Sequence, residues 1–202
     1  MNLKDRVGIL GGTFNPVHDA HLTIARTALG QCGLSRILFV PNGTPPGKRT
    51  QKDPGREHRF RMVAEAIRGE ERYSVSRIEV DRDGPSYTID TIRALKDDYS
   101  EGICLIVGAD CLMEIDTWRE PDAILASLPI VVAPRVGVRL DALEPERFRD
   151  ASIYVLDMPE VEVSSTALRE RVRRGASIDD SVPSAVARYI EENGLYRGAE
   201  QA

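Results

Sequence analysis

The chain predicts an α/β fold, a doubly wound parallel sheet, and three observations carry that prediction. Short apolar runs bounded by turn residues alternate with stretches of helical period along nearly all of the sequence. The first run ends in a glycine turn that leads straight into a helix, and a later run, the most apolar, ends in Gly108-Ala109-Asp110. Strands that alternate with helices build parallel sheets covered on both faces.

The first element sets the pattern. Val7 to Leu10 is a buried-strand run that stops at Gly11 and Gly12, where the backbone can come close to a bulky ligand. Asn15-Pro16 marks a turn, and Ala20 to Leu29 has helical spacing through Leu22, Ala25, Ala28 and Leu29. His18 and His21 therefore fall at the first helical turn, beyond the carboxyl end of the strand, where α/β sheets put their ligands. Three residues apart, the imidazoles share one helix face and can supplement the unpaired N–H groups there in holding a phosphate. Zinc fits less well, since the metalloprotease signature has histidines four apart around a glutamate, and Gly8, Gly11 and Gly12 do not make the dinucleotide fingerprint. A polar helix start with two surface histidines is the plainer alternative.

Ile37 to Val40 is a second strand, broken by Pro41-Asn42-Gly43. Thr44 to Gly55 holds Pro45, Pro46, Gly47 and Pro54 with Lys48, Arg49 and Lys52, and Arg56, Arg59 and Arg61 follow. This basic, mobile stretch either closes over phosphates or is a solvated charged loop. Gly43 to Lys48 is not a Walker loop: three residues separate its glycines instead of four, two of those are prolines, and Arg49 replaces Ser/Thr.

Phe60, Val63, Ala64 and Ile67 mark an amphipathic helix, and Tyr73 to Val80 alternates as a strand does. After the Gly84-Pro85 turn, Ser86 or Thr88 is placed to cap a helix carrying Ile89, Ile92 and Leu95, which offers a second anion site. Ile103 to Val107 is the central strand, and Asp110 just past it suits ribose hydroxyls. Trp118, the only tryptophan, is either a stacking plate in a polar neighbourhood or core. Strands follow at Leu128 to Ala133, stopped by Pro134-Arg135, and at Ser152 to Leu156. A helix from Val163-Ser164-Ser165-Thr166 to Gly175 turns Leu168 and Val172 inward and carries Arg169 and Arg173 on one face. Its start lacks an acidic residue and so favours an anion. Pro183 begins the last helix, closed at Asn193-Gly194.

With 202 residues, 42% hydrophobic and 29% charged, one domain with a substantial core is expected, its C-terminal helical part beginning near residue 164. A net charge of -5 argues against a general nucleic-acid or membrane-surface binder. Cys32, Cys104 and Cys111 read as reduced thiols of a cytoplasmic protein, and no leader or spanning segment is legible.

These motifs together resemble bacterial nicotinate-nucleotide adenylyltransferase, a nucleotidylyltransferase family with a Rossmann-like fold. The likeness rests on Gly11 to His18, Pro45-Pro46, Arg59 with Met62, Pro85 to Thr88, Gly108 to Asp110 with Thr117-Trp118, Ser164 to Arg169 and Gly194-Leu195-Tyr196. It implies transfer of AMP from ATP to nicotinate mononucleotide with Mg²⁺ and no metal held by the protein's own side chains, no nucleic-acid or membrane partner, and leaves a homo-oligomer open. It further implies that His18, His21 and Arg169 are catalytic. Gly11, Gly12, Thr13, Phe14, Gly108, Ser164, Ser165, Thr166 and Lys48 would bind ATP. Asn42, Tyr87, Thr88, Asp110, Trp118 and Arg135 would bind the mononucleotide, with Trp118 stacked on the pyridine ring and Thr88 reading its carboxylate. Two residues depart from the family pattern: Ala20 stands where glycine is usual, and Gly47 where histidine follows the two prolines. Phosphopantetheine adenylyltransferase shares the first and last motifs without needing Tyr87-Thr88 and Trp118. An aminoacyl-tRNA synthetase would need more chain, and a silent binding module would be expected to lack one of His18, His21 or Arg169.

Overall fold

A computed structural model of the protein describes residues 3–46, 53–138, 146–159 and 163–197. Gly47, Lys48, Arg49 and Lys52 lie outside the described residues, so the expected closing stretch and its Lys48 contact with ATP do too.

Six parallel strands form one sheet: β1 (Val7–Gly12), β2 (Arg36–Pro41), β3 (Tyr73–Val75), β4 (Ile103–Gly108), β5 (Ile130–Ala133) and β6 (Ile153–Val155), in the order β3-β2-β1-β4-β5-β6. The helices are α1 (Asp19–Gln31), α2 (Arg56–Ala66), α3 (Thr88–Lys96), α4 (Ala109–Met113), α5 (Pro121–Ser127), α6 (Ser165–Arg173) and α7 (Ser184–Glu192). Central strands read as unbroken apolar runs because both faces are covered. Leu10, Phe39, Ile106 and Val131 face one layer with α1, α2, α6 and α7, while Ile9, Leu38, Leu105 and Val132 face the other with α3, α4 and α5. The strand order reverses between β1 and β4, and a crevice opens there beyond the carboxyl ends. The expected doubly wound sheet is thus the observed one. All three cysteines are free, and no described helix is long and apolar enough to cross a membrane.

Three local expectations are corrected. The Tyr73 to Val80 strand lasts only three residues: Ser76 still donates to the Phe39 carbonyl, but Arg77 and Asp81 then close a turn through Asp81 N–H to the Arg77 carbonyl at 2.8 Å. The apolar and polar residues that alternate in sequence beyond Val75 belong to that turn, which tucks Val80 into the core. The strand expected over Leu128 to Ala133 begins only at Ile130, and the residues before it, from Pro121, form α5, a helix that was not expected. Neither Ser86 nor Thr88 caps α3; Tyr87 holds the cap position without a side-chain bond, and the Ser86 oxygen accepts from Gly43 N–H instead.

Candidate active site

The glycine turn after β1 delivers the chain to α1 with His18 at the cap and His21 one turn in. The rings stack with centroids 3.8 Å apart and 32° between their planes, so the expected shared face is observed. Phe14, buried beneath them, meets the His21 ring edge-on at 4.9 Å. His21 Nδ1 accepts from the His18 backbone N–H at 3.2 Å, which leaves the His21 proton on Nε2 as a donor. Burial, with the Arg135 charge second, lowers His18 to about 4. Burial followed by the charges of His18 and Arg135 holds His21 well below its ordinary value. Both imidazoles are therefore neutral at pH 7, and an arriving phosphate would raise both values.

Opposite them stands the start of α6. Ser164 is its cap residue, Ser165 Oγ donates to the Pro16 carbonyl at 3.0 Å, and Arg169 donates to the Asn15 carbonyl at 2.8 Å and to Thr166 Oγ1 at 3.1 Å. Leu168 is buried beneath this turn, which anchors it by about 1.5–3 kcal/mol. Tyr196 Oη donates to Asn15 Oδ1 at 2.6 Å, so the end of the chain grips the same loop. His18 Nδ1 and Arg169 Nε are both buried without a protein partner.

Between the two walls lies a cleft of about 370 Å³. Thr13, Phe14, His18 and His21 line one side, Ser164, Ser165, Thr166 and Arg169 the other, and Arg135, Asn15, Pro45, Asp53 and Val163 complete it. The structure thus brings together the three residues expected to be catalytic and most of those expected to hold ATP. Gly11, the last but one residue of β1, has no described atom within 4 Å of where a Cβ would stand, and Gly12 at the strand's end accepts from Asn42 N–H at 2.9 Å. Gly108 closes β4, where a Cβ would collide with Asp110 Oδ1.

Of the residues expected at the mononucleotide, only Arg135 lines this cleft. Arg135 pairs with Asp110 at 3.3 Å, which joins the two regions. Thr88 begins α3, the Arg119 guanidinium lies 4.9 Å from the Tyr87 ring centre, and Trp118 is half-buried against the second core layer.

Arg59 departs from its expected place in a basic loop. It is 1% exposed and donates to the carbonyls of Thr13 (3.0 Å), Asn42 (2.5 Å) and Gly43 (2.8 Å) and to Asp53 Oδ1 (3.0 Å). It fastens the loops after β1 and β2 from below; with Met62 it was part of the family likeness, but nothing local in the sequence marked it as an anchor for these carbonyls. Asn15, also at the cleft, was read only as a turn residue within the first motif, and Asp53 was not singled out.

A cytidylyltransferase-like family model matches residues 9–171. A Bacillus subtilis nicotinate-nucleotide adenylyltransferase is 37% identical over 95% of this chain and 98% of its own length. The chain belongs to the nicotinate-nucleotide adenylyltransferase family. A Moorella thermoacetica relative of the same designation is 38% identical over 95% of this chain and 92% of its own. The fold of that family recurs in a Plasmodium falciparum nicotinic acid mononucleotide adenylyltransferase complexed with NaAD, with a TM-score of 0.77, 16% identity, and 95% and 97% of the two chains covered.

Proposed function

We propose that this chain transfers the adenylyl group of ATP to the 5′-phosphate of nicotinate mononucleotide, giving nicotinate adenine dinucleotide and pyrophosphate. An identity of 37% to a relative named for that activity, over nearly the whole of both chains, carries the reading, and a cleft walled by paired imidazoles and a hydroxyl-arginine helix start suits its chemistry. An oxygen of the mononucleotide phosphate attacks the α-phosphorus in line. The bond from that phosphorus to the bridging oxygen breaks, and its electron pair leaves with pyrophosphate. No enzyme nucleophile is required, so the protein contributes position and charge stabilisation.

His21, with its proton held on Nε2, and His18 donate to the oxygens where charge gathers at the α-phosphorus. Ser165, Thr166, Arg169 and the first amides of α6 take the β- and γ-phosphates. The two buried nitrogens without protein partners support this, since such groups are seldom left unpaired. Gly11 to Phe14, Gly108 and Ser164 border ATP. Asp110 holds ribose, Asn42, Tyr87 and Arg135 flank the mononucleotide, Trp118 stacks on its ring, and the start of α3 at Thr88 reads its carboxylate.

No described group of three or more His, Cys, Asp or Glu could hold a metal ion, and Asp53, the one described carboxylate lining the cleft, is engaged by Arg59 and Gly55. These residues fit Mg²⁺ that arrives on the triphosphate, ligated by phosphate and water oxygens, where it neutralises charge. Residues 1–202 act as one catalytic unit, and the free thiols suit a cytoplasmic setting.

The test is pyrophosphate release with ATP and Mg²⁺, comparing nicotinate mononucleotide, nicotinamide mononucleotide and phosphopantetheine. Strong release with the acid alone is expected. Preference for phosphopantetheine would overturn the acceptor, and silence with all three would overturn the reaction.

A further inference from the structure

Beneath the loops after β2 and before α3 lies a polar cluster that the reaction does not use directly. Glu79, Ser86 and Thr91 are all buried there. Thr91 Oγ1 donates to Glu79 Oε1 at 2.6 Å, Ser86 bonds the same carboxylate, and Arg82 reaches Thr91 Oγ1 at 3.1 Å. Gly43 N–H donates to Ser86 Oγ at 2.9 Å, and Ser86 N–H donates to the Thr44 carbonyl at 2.8 Å. The Ser86 oxygen is thus an acceptor for Gly43, and its single proton turns to the carboxylate. Packing is equally tight, because a Cβ at Gly43 would collide with the Glu79 carbonyl.

A buried carboxylate costs several kcal/mol to desolvate, and apolar residues of similar size would hold these segments together as well. Burial raises the Glu79 pKa, against the hydroxyls of Thr91 and Ser86 and the charges of Arg82 and Arg59. What a satisfied network adds over apolar filling is a fixed geometry. Here the geometry fixed is that between Gly43-Thr44 and the first turn of α3.

We infer that Glu79 is a positioning residue for acceptor recognition, setting through Ser86 and Thr91 the place of the α3 start that reads the pyridine carboxylate. This rests on the proposed reaction and deepens it. Glu79 touches no substrate in this account; it acts through two hydroxyls on the helix that does.

The test compares Glu79→Gln and Ser86→Ala with the unaltered chain in steady-state assays with ATP, Mg²⁺ and either nicotinate or nicotinamide mononucleotide. Each variant should raise the KM for the acid mononucleotide about tenfold, as for one misplaced hydrogen-bonded contact. Its acid-over-amide ratio of kcat/KM should fall by a similar factor, while the KM for ATP stays within about twofold. The double variant should be no worse than the poorer single one, because the two side chains share one network. An unchanged acid KM in folded Glu79→Gln overturns the inference, as does a common loss in kcat and both KM values with a lowered Tm. If Glu79→Gln does not fold, Ser86→Ala decides by the same readings. A wild-type chain silent with nicotinate mononucleotide sinks the reaction itself, whereas wild-type turnover with unmoved variants sinks only the role of Glu79.

Discussion

Replacing Arg59 by Met would test how far the cleft depends on a group that never lines it. The substitution keeps a long apolar stem but leaves the carbonyls of Thr13, Asn42 and Gly43 without their donor and Asp53 without its partner. Each buried acceptor left unpaired costs about 1–3 kcal/mol. The Asp53 side chain is 24% exposed and recovers water, which discounts its share. Methionine restores part of the packing, so the net loss is about 3–5 kcal/mol, the range found for breaking one side of a buried pair. At roughly 2–4 °C per kcal/mol in a chain of this size, Tm should fall by about 6–20 °C. Thermal and urea unfolding followed by circular dichroism measure it. Arg59→Lys should fall between, since it keeps the charge and loses the fork. A Tm within about 2 °C of wild type in Arg59→Met would refute the account, because the carbonyls of Thr13, Asn42 and Gly43 would then have found partners at no cost.

Histidine burial should appear in the pH dependence of stability. His18 titrates at about 4 in the folded chain against an ordinary 6.5, so the unfolded chain binds more protons between those values and stability falls as pH drops from about 6.5 to 4. The loss, about 3 kcal/mol, should be absent in His18→Asn, and parallel Tm–pH profiles for the two proteins would contradict it. His21→Ala should lower kcat by about 10²–10³-fold, the usual effect of removing one donor to developing charge, with little change in Tm; normal turnover would remove the pair from the mechanism. Trp118→Ala should raise the KM for nicotinate mononucleotide about tenfold and leave that for ATP nearly unmoved, as expected for one lost stacking contact in that pocket. Equal changes would make the tryptophan core alone.

Much of this was legible because parallel strands write their burial as unbroken apolar runs and amphipathic helices write theirs as a period. Val7 to Gly12 and Ile103 to Gly108 are such runs, and from them the histidine pair and Asp110 could be placed at the correct sheet edge. The α6 start was readable for a different reason, since three hydroxyls and Arg169 without an acidic residue contradict what a plain helix start prefers. The α5 helix was hidden because an apolar stretch of that length suits strand or helix equally, and only Pro121 marked its start. β3 was overextended because a buried turn can copy the alternation of a strand. Arg59 and Glu79 were not legible as anchors. Their partners are backbone carbonyls and hydroxyls from distant segments, and nothing local in a sequence tells an arginine that gathers carbonyls from one that faces water.

Asn15 is held by Arg169 and Tyr196, from positions 154 and 181 residues further along the chain. The cleft therefore has one jaw made early and another made much later. During synthesis, a chain that has reached only β6 would already carry the glycine turn and both imidazoles, yet neither Arg169 nor Tyr196 would be there to hold Asn15. Clipping within α7 would loosen the Tyr196 hold while Arg169 kept its bond to the Asn15 carbonyl. The cleft is thus expected to work only once α6 has met the loop after β1.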